Sequence, residues 1–113
     1  MEKKKRRLKN PKRKGIVFER KTRKVLEAQG FFCVRQAASI FPDIVAIAPK
    51  TGEVHFIECK VKAKYFSRRE REYLLEMQKK YNVKPFLAYK KREGRYVNVQ
   101  IDPVVPLVKE KEK

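Results

Sequence analysis

The amino-acid sequence predicts an α/β fold: a mixed β-sheet flanked by helices, in the order α-β-β-β-α-β-β. Three observations carry that prediction. Apolar residues recur at helical spacing in two stretches, and five short runs rich in Val, Ile, Phe and Tyr lie around them. Turn residues punctuate those runs. The 113 residues suit one domain, 42% of them are apolar, and no internal repeat is visible.

The first helix is expected over residues 15–29. Phe18, Thr22, Val25, Leu26 and Gln29 share one side, and Gly30 supplies a stop. Phe31-Phe32-Cys33-Val34-Arg35 reads as the first strand, followed by a small and polar loop over residues 36–41 that ends at Pro42. Asp43-Ile44-Val45-Ala46-Ile47-Ala48 is apolar on both faces, as a central strand is. Pro49-Lys50-Thr51-Gly52 is a turn, and the strand over residues 54–61 closes a hairpin. The second helix starts at Ser67, where Ser67-Arg68-Arg69-Glu70 has the form of a capping box. Its stripe of Tyr73, Leu74, Met77 and Tyr81 is read as core first and a dimer surface second. Pro85-Phe86-Leu87-Ala88-Tyr89 and Tyr96-Val97-Asn98-Val99-Gln100-Ile101 make two more strands around a Glu93-Gly94 turn. The expected organisation is a basic arm over residues 1–14, a folded domain over 15–101 and a tail over 102–113.

Charge narrows the function. Lys and Arg total 31 against 13 Asp and Glu, a net charge of +18. Self-repulsion on that scale disfavours a compact chain, so a polyanionic partner is implied, nucleic acid before an anionic membrane. The arm, with nine Lys or Arg and one Glu, accounts for less than half of the excess. No apolar stretch approaches the roughly 20 residues that span a bilayer, and no apolar segment follows the basic start as in a secretory signal. One histidine and no Cys-x-x-Cys pair argue against structural zinc. A lone disulfide between Cys33 and Cys59 stays open, but both read first as buried small side chains of a reduced protein, intracellular (cytoplasmic) and located at DNA.

The chemistry-bearing residues are acids in strands. Glu58 and Lys60, in Phe56-Ile57-Glu58-Cys59-Lys60-Val61, are two apart and project from one face. A charged pair inside an apolar strand is costly unless it is paired or bound to a metal. Asp43 opens the partner strand. With the turn centred between Lys50 and Thr51, Asp43 faces Glu58, with Cβ atoms about 5 Å apart. A three-residue turn using Gly52 shifts the register by one, and a bulge near Asp43 is then needed to restore the facing. Facing carboxylates call for a divalent cation, and oxygen ligands suit Mg²⁺, with Mn²⁺ as a substitute. Lys60 then addresses water and phosphate, an arrangement that fits phosphodiester hydrolysis. Lys14, Arg20, Arg35, Lys62 and Lys90 are candidate DNA contacts. Glu19, taken alone, reads as a surface salt-bridge partner, although it shares a helix side with Leu26. His55 reads as a surface histidine; Tyr65 and Phe66 read as loop anchors or as packing for DNA or a partner subunit.

Pro42-Asp43, fourteen intervening residues and Glu58-Cys59-Lys60 resemble the signature of the PD-(D/E)XK nuclease superfamily, with its restriction-endonuclease-like fold. Over residues 14–99 the chain resembles the archaeal-type Holliday-junction resolvases. The matching residues are Gly15 with Glu19-Arg20, Phe32-Cys33-Val34-Arg35, Ala37-Ala38-Ser39, Asp43-Ile44-Val45-Ala46, Ile57-Glu58-Cys59-Lys60-Val61 and Lys84-Pro85-Phe86-Leu87-Ala88. The resemblance implies a metal-dependent endonuclease that works as a homodimer and resolves four-way DNA junctions by paired, symmetric cuts. It makes Glu19 a fourth catalytic member beside Asp43, Glu58 and Lys60, and a metal ligand, directly or through water. It adds the backbone carbonyl of Cys59 to the metal ligands, and Arg35 and Ser39 to the DNA contacts. Phe41-Pro42 before Asp43 also resembles virus-type replication-repair nucleases of the same superfamily, which share the site and act on other DNA structures. Two readings from other classes stand beside the enzyme: a non-catalytic nucleic-acid-binding module, and a basic ribosomal-type or architectural protein. In the module the acids are structural, whereas an architectural protein has no use for Asp43 and Glu58 facing each other in a phosphate-binding cleft.

Overall fold

The computed structural model describes residues 11–35 and 42–107, with side chains over 14–34 and 42–107. Most of the basic arm, the loop over 36–41 with Ser39, the side chain of Arg35 and the end of the tail lie outside the described residues. Helix α1 spans Pro11–Ala28, β1 Phe32–Arg35, β2 Ile44–Ile47 and β3 Val54–Cys59. A 3₁₀ turn, Ala63–Tyr65, leads into α2, Arg68–Tyr81, and the chain closes with β4, Lys84–Glu93, and β5, Tyr96–Pro103. The α-β-β-β-α-β-β order is the expected one.

Helix α1 begins four residues before its expected start, at a proline. Proline suits a first turn, whose N–H groups have no intrahelical partner. Its end is a Schellman motif at Gly30, φ 95°. Phe31 N–H donates to the Leu26 carbonyl at 3.1 Å and Gly30 N–H to that of Glu27 at 2.9 Å. At the start of α2 the capping box is present in both directions, between Ser67 and Glu70, and Asn82 in the left-handed conformation ends the helix.

The five strands lie in the order β1-β2-β3-β4-β5. All neighbours run antiparallel except β3 and β4, which α2 joins as a parallel pair. Because successive side chains alternate, the central strands are apolar on both faces and each face takes a helix. On one face Phe18 and Leu26 of α1 pack on Ile44, Ala46, Ile57 and Ala88; on the other Leu74 of α2 packs with Leu87 and Val104. Full burial of Phe18, Ile44, Ile57 and Leu74 stabilises the fold by about 1.5–3 kcal/mol per side chain.

Several expectations are revised. Val104, in the stretch read as tail, is buried, and its N–H donates to the Pro85 carbonyl at 2.9 Å. Of the α2 stripe only Leu74 is fully buried; Tyr73 and Tyr81 are exposed. His55 is no plain surface histidine. Its ring lies between Phe31 and Phe86, with centroids 5.1 and 4.7 Å away. Of the two aromatics after β3, Phe66 packs on the second core and Tyr65 is exposed.

Candidate active site

The hairpin register decides whether the two acids can meet. Ile44 pairs with Ile57 and Ile47 with Val54. The turn over 49–52 is closed by Ala48 N–H to the Glu53 carbonyl at 2.9 Å and Gly52 N–H to the Ala48 carbonyl at 3.1 Å. Its centre therefore lies between Lys50 and Thr51, and no bulge is needed. One step beyond the Ile44–Ile57 pair, Asp43 stands opposite Glu58.

Asp43 is half-buried behind a buried Pro42, and its Oδ2 accepts a hydrogen bond from the Cys59 amide at 2.8 Å. Glu58 is 4% exposed. Its Oε1 is the one buried side-chain oxygen or nitrogen among the described residues with no hydrogen-bond partner. Its Oε2 lies 3.7 Å from Nζ of Lys60. Burial is the main cause that pushes the Glu58 carboxyl up, to about 8; the Asp43 charge adds to it and Lys60 opposes it. Burial likewise raises Asp43, to about 6, against the Cys59 amide and with the help of Glu19. Such a pair sheds its protons as a unit. Two acids that hold protons near neutrality, one with an open oxygen, are short of positive charge.

Lys60 follows β3, with its N–H bound to the Ala88 carbonyl at 2.9 Å. Burial opposes its charge, but the hydrogen bond and charge of Glu70 outweigh burial and raise its pKa. Nζ sits 2.7 Å from Oε2 of Glu70. Glu70 is the residue that sequence reasoning missed at this site. It was legible as a helix cap, but nothing in a ten-residue separation showed that the 3₁₀ turn folds α2 back onto the end of β3.

Glu19 is half-buried on α1, close enough for its charge to act on Asp43, so α1 brings it to the Asp43 side of the site. Thr22, one turn on, is fully buried; its hydroxyl donates to the Phe18 carbonyl at 2.9 Å and touches the Cys59 thiol. Both cysteines are free, and burial pushes both thiols up, that of Cys59 far above the usual range. Protonated thiols of this kind are packing groups, not nucleophiles.

Of the candidate DNA contacts, Lys14 and Arg20 are exposed on α1, and Lys62 is exposed two residues beyond Lys60. Lys90 is exposed on β4, where its N–H donates to the Val61 carbonyl at 3.2 Å, beside the same end of β3. The backbone of Arg35 pairs with Ile44, next to Asp43. Among the described residues no three His, Cys, Asp or Glu side chains lie close enough to enclose a metal. No helix among them is long and apolar enough to cross a membrane.

The family model described as archaeal Holliday junction resolvase (hjc) matches residues 10–111. The chain belongs to that family. It is similar to the crossover junction endodeoxyribonuclease Hjc of Methanocaldococcus jannaschii, 38% identical over 81 residues, which are 69% of this chain and 59% of that protein. The match thus spans less than two thirds of that relative's length. Its fold is similar to that of Archaeoglobus fulgidus Hjc, described as a Holliday junction resolvase from an archaeal hyperthermophile. There the TM-score is 0.62 and the identity 28%, over 80% of this chain and 73% of the other. The resemblance to archaeal-type resolvases read from the sequence is thereby shown.

Proposed function

We propose that this protein is a metal-dependent endonuclease that resolves four-way DNA junctions by paired, symmetric phosphodiester hydrolysis. The observation that carries the reading is the facing pair Asp43 and Glu58, with an unpartnered buried oxygen on Glu58 and the Lys60 ammonium beside it. The net charge of +18 and membership of the resolvase family support it.

The donor set fits Mg²⁺, with Mn²⁺ as a substitute. Asp43 and Glu58 would hold the ion, with the carbonyl of Cys59, between Glu58 and Lys60 in the chain, and with Glu19 directly or through water. Mg²⁺ keeps several waters and takes one or two protein carboxylates, so an open pair suits it better than a closed cage does. When bound, the cation supplies positive charge to the scissile phosphate and lowers the pKa of a water. The chain's own residues do the rest. Lys60 orients the attacking water and stabilises charge on the phosphate as it develops. Cys59 steadies Asp43 through its amide. Lys62 and Lys90 hold backbone phosphates beside the site, Lys14 and Arg20 extend that surface along α1, and Arg35 and Ser39 are further DNA contacts.

Paired cuts in a two-fold-symmetric junction call for a two-fold homodimer, and the exposed Tyr73 and Tyr81 of α2 offer apolar surface for it. A place at intracellular DNA follows from this reading.

The test is cleavage of a labelled four-way junction beside linear duplex of matched sequence, with Mg²⁺ and with EDTA. Symmetric cuts in the junction alone, lost with EDTA and in Asp43→Asn, are expected. Equal cutting of linear duplex keeps the nuclease and removes the resolvase. Tight binding with no cutting under Mg²⁺ or Mn²⁺ leaves a DNA-binding module.

A further inference from the structure

We infer that Glu70, besides capping α2, is a positioning residue for Lys60. This rests on the reading of Lys60 as the group that addresses water and phosphate.

A lysine ends in a compact charge on a flexible four-carbon stem, so it needs an anchor if it is to hold one place. Two carboxylates compete for this one. Nζ lies 2.7 Å from Oε2 of Glu70 and 3.7 Å from Oε2 of Glu58. Glu70 holds the shorter contact and uses one of the three ammonium donors, leaving the others for water and phosphate. It also keeps Lys60 from closing onto Glu58, whose Oε1 stays open.

Glu70 is itself held. Its Oε1 accepts from the Ser67 amide at 2.8 Å, while the Ser67 hydroxyl accepts from the Glu70 amide at 3.1 Å. The start of a helix favours negative charge. One turn on, Leu74 is fully buried in the core, and Arg71 donates to the Val105 carbonyl at 2.8 Å, so the first turn cannot drift. A capping box needs one carboxylate oxygen; here the second reaches the active site. Position 70 therefore carries two separable duties.

Glu70→Gln separates them. Its amide oxygen still completes the box, since glutamine serves there as glutamate does, but the side facing Lys60 becomes an uncharged donor. Ser67→Ala is the opposite variant: it loses the hydroxyl cap and keeps the Ser67 amide, Glu70 and Lys60 as they are. Glu70→Asp keeps the charge on a shorter stem. Single-turnover junction cleavage, junction Kd, melting temperature and the Lys60 ammonium signal in ¹⁵N-lysine spectra are measured for each, beside Lys60→Ala.

Glu70→Gln is expected to cut about 10–100-fold more slowly, by analogy with outer-shell partners that orient metal ligands. Its junction Kd should stay unchanged and its Lys60 signal should broaden or shift. Glu70→Asp should recover part of the rate. Ser67→Ala should melt earlier but cut at the wild-type rate with an unaltered Lys60 signal. If Glu70→Gln cuts like wild type while Lys60→Ala is inactive, the inference falls and the proposed function stands. A Lys60→Ala variant that cuts normally removes the role of Lys60 and this inference with it. A rate loss in Ser67→Ala equal to that in Glu70→Gln reduces Glu70 to a structural cap and overturns the inference.

Discussion

Asp43 and Glu58 face each other because a hairpin register puts them there, and burial does the rest. Both hold their protons more tightly folded than unfolded, Asp43 to about 6 and Glu58 to about 8. Between about pH 4 and pH 8 the folded state therefore binds more protons, so its stability falls as pH rises. The contribution is whole below the unfolded carboxylate range and is lost as pH passes through the two folded values. In EDTA the melting temperature should drop across that window, and Glu58→Gln should flatten the slope. If the two acids hold Mg²⁺ as proposed, it should restore stability most at the alkaline end, where both carboxylates are ionised; equal slopes in wild type and Glu58→Gln would count against the coupled pair. Asp43→Asn and Glu58→Gln should each cut junctions at least about 10²-fold more slowly, with folding intact by circular dichroism. The two acids and Lys60 were legible from one strand motif and one turn. Glu70 was not, because its partner lies across a change of direction that no local pattern encodes.

Elements are placed by their ends as much as by their stripes. Gly30 takes φ 95°, and a Cβ there would meet Cγ of Pro49 at 3.2 Å. Gly30→Ala therefore meets both backbone strain and the hairpin turn, and should destabilise the protein by more than about 1 kcal/mol in urea unfolding. A loss of only a few tenths would mean that the α1 end and the turn can move apart. The Ser67–Glu70 box and the Gly30 stop were readable as sequence, since a cap needs only neighbours. The α2 stripe was less so: Leu74 and Tyr81, seven residues apart, share one helix side, yet Leu74 is buried and Tyr81 is exposed, which periodicity alone does not show. His55 shows the same limit. Alternation places it on a strand face, but only the packing of Phe31 and Phe86 makes it a half-buried, stacked ring.

At the scale of the whole molecule, a net charge of +18 implies that binding to DNA, as proposed, is chiefly a matter of counterion release. Junction affinity should fall steeply and linearly on a log–log plot against salt. Lys62→Ala and Lys90→Ala should each lower that slope by about 0.9 if each neutralises one phosphate. Anisotropy titrations over a salt series decide it; an unchanged slope in either variant removes that lysine from the DNA surface. The two lysines lie 28 positions apart in sequence but flank one end of β3, because β4 runs parallel to β3 and Lys90 pairs with Val61.

The sequence by itself determined the order of elements, the helix caps, the basic character and the identities of Asp43, Glu58 and Lys60. Those depend on composition, on periods of two and 3.6 residues, and on chemistry between near neighbours. It left open whether Asp43 meets Glu58, because a turn one residue longer or shorter changes the register and both have acceptable local chemistry. Tertiary structure decided that, placing Asp43 opposite Glu58 with its Oδ2 on the Cys59 amide. It also brought in Glu19 from α1 and Glu70 from α2, one from each layer, because a sheet packed on both faces exposes its strand ends to both helices at once.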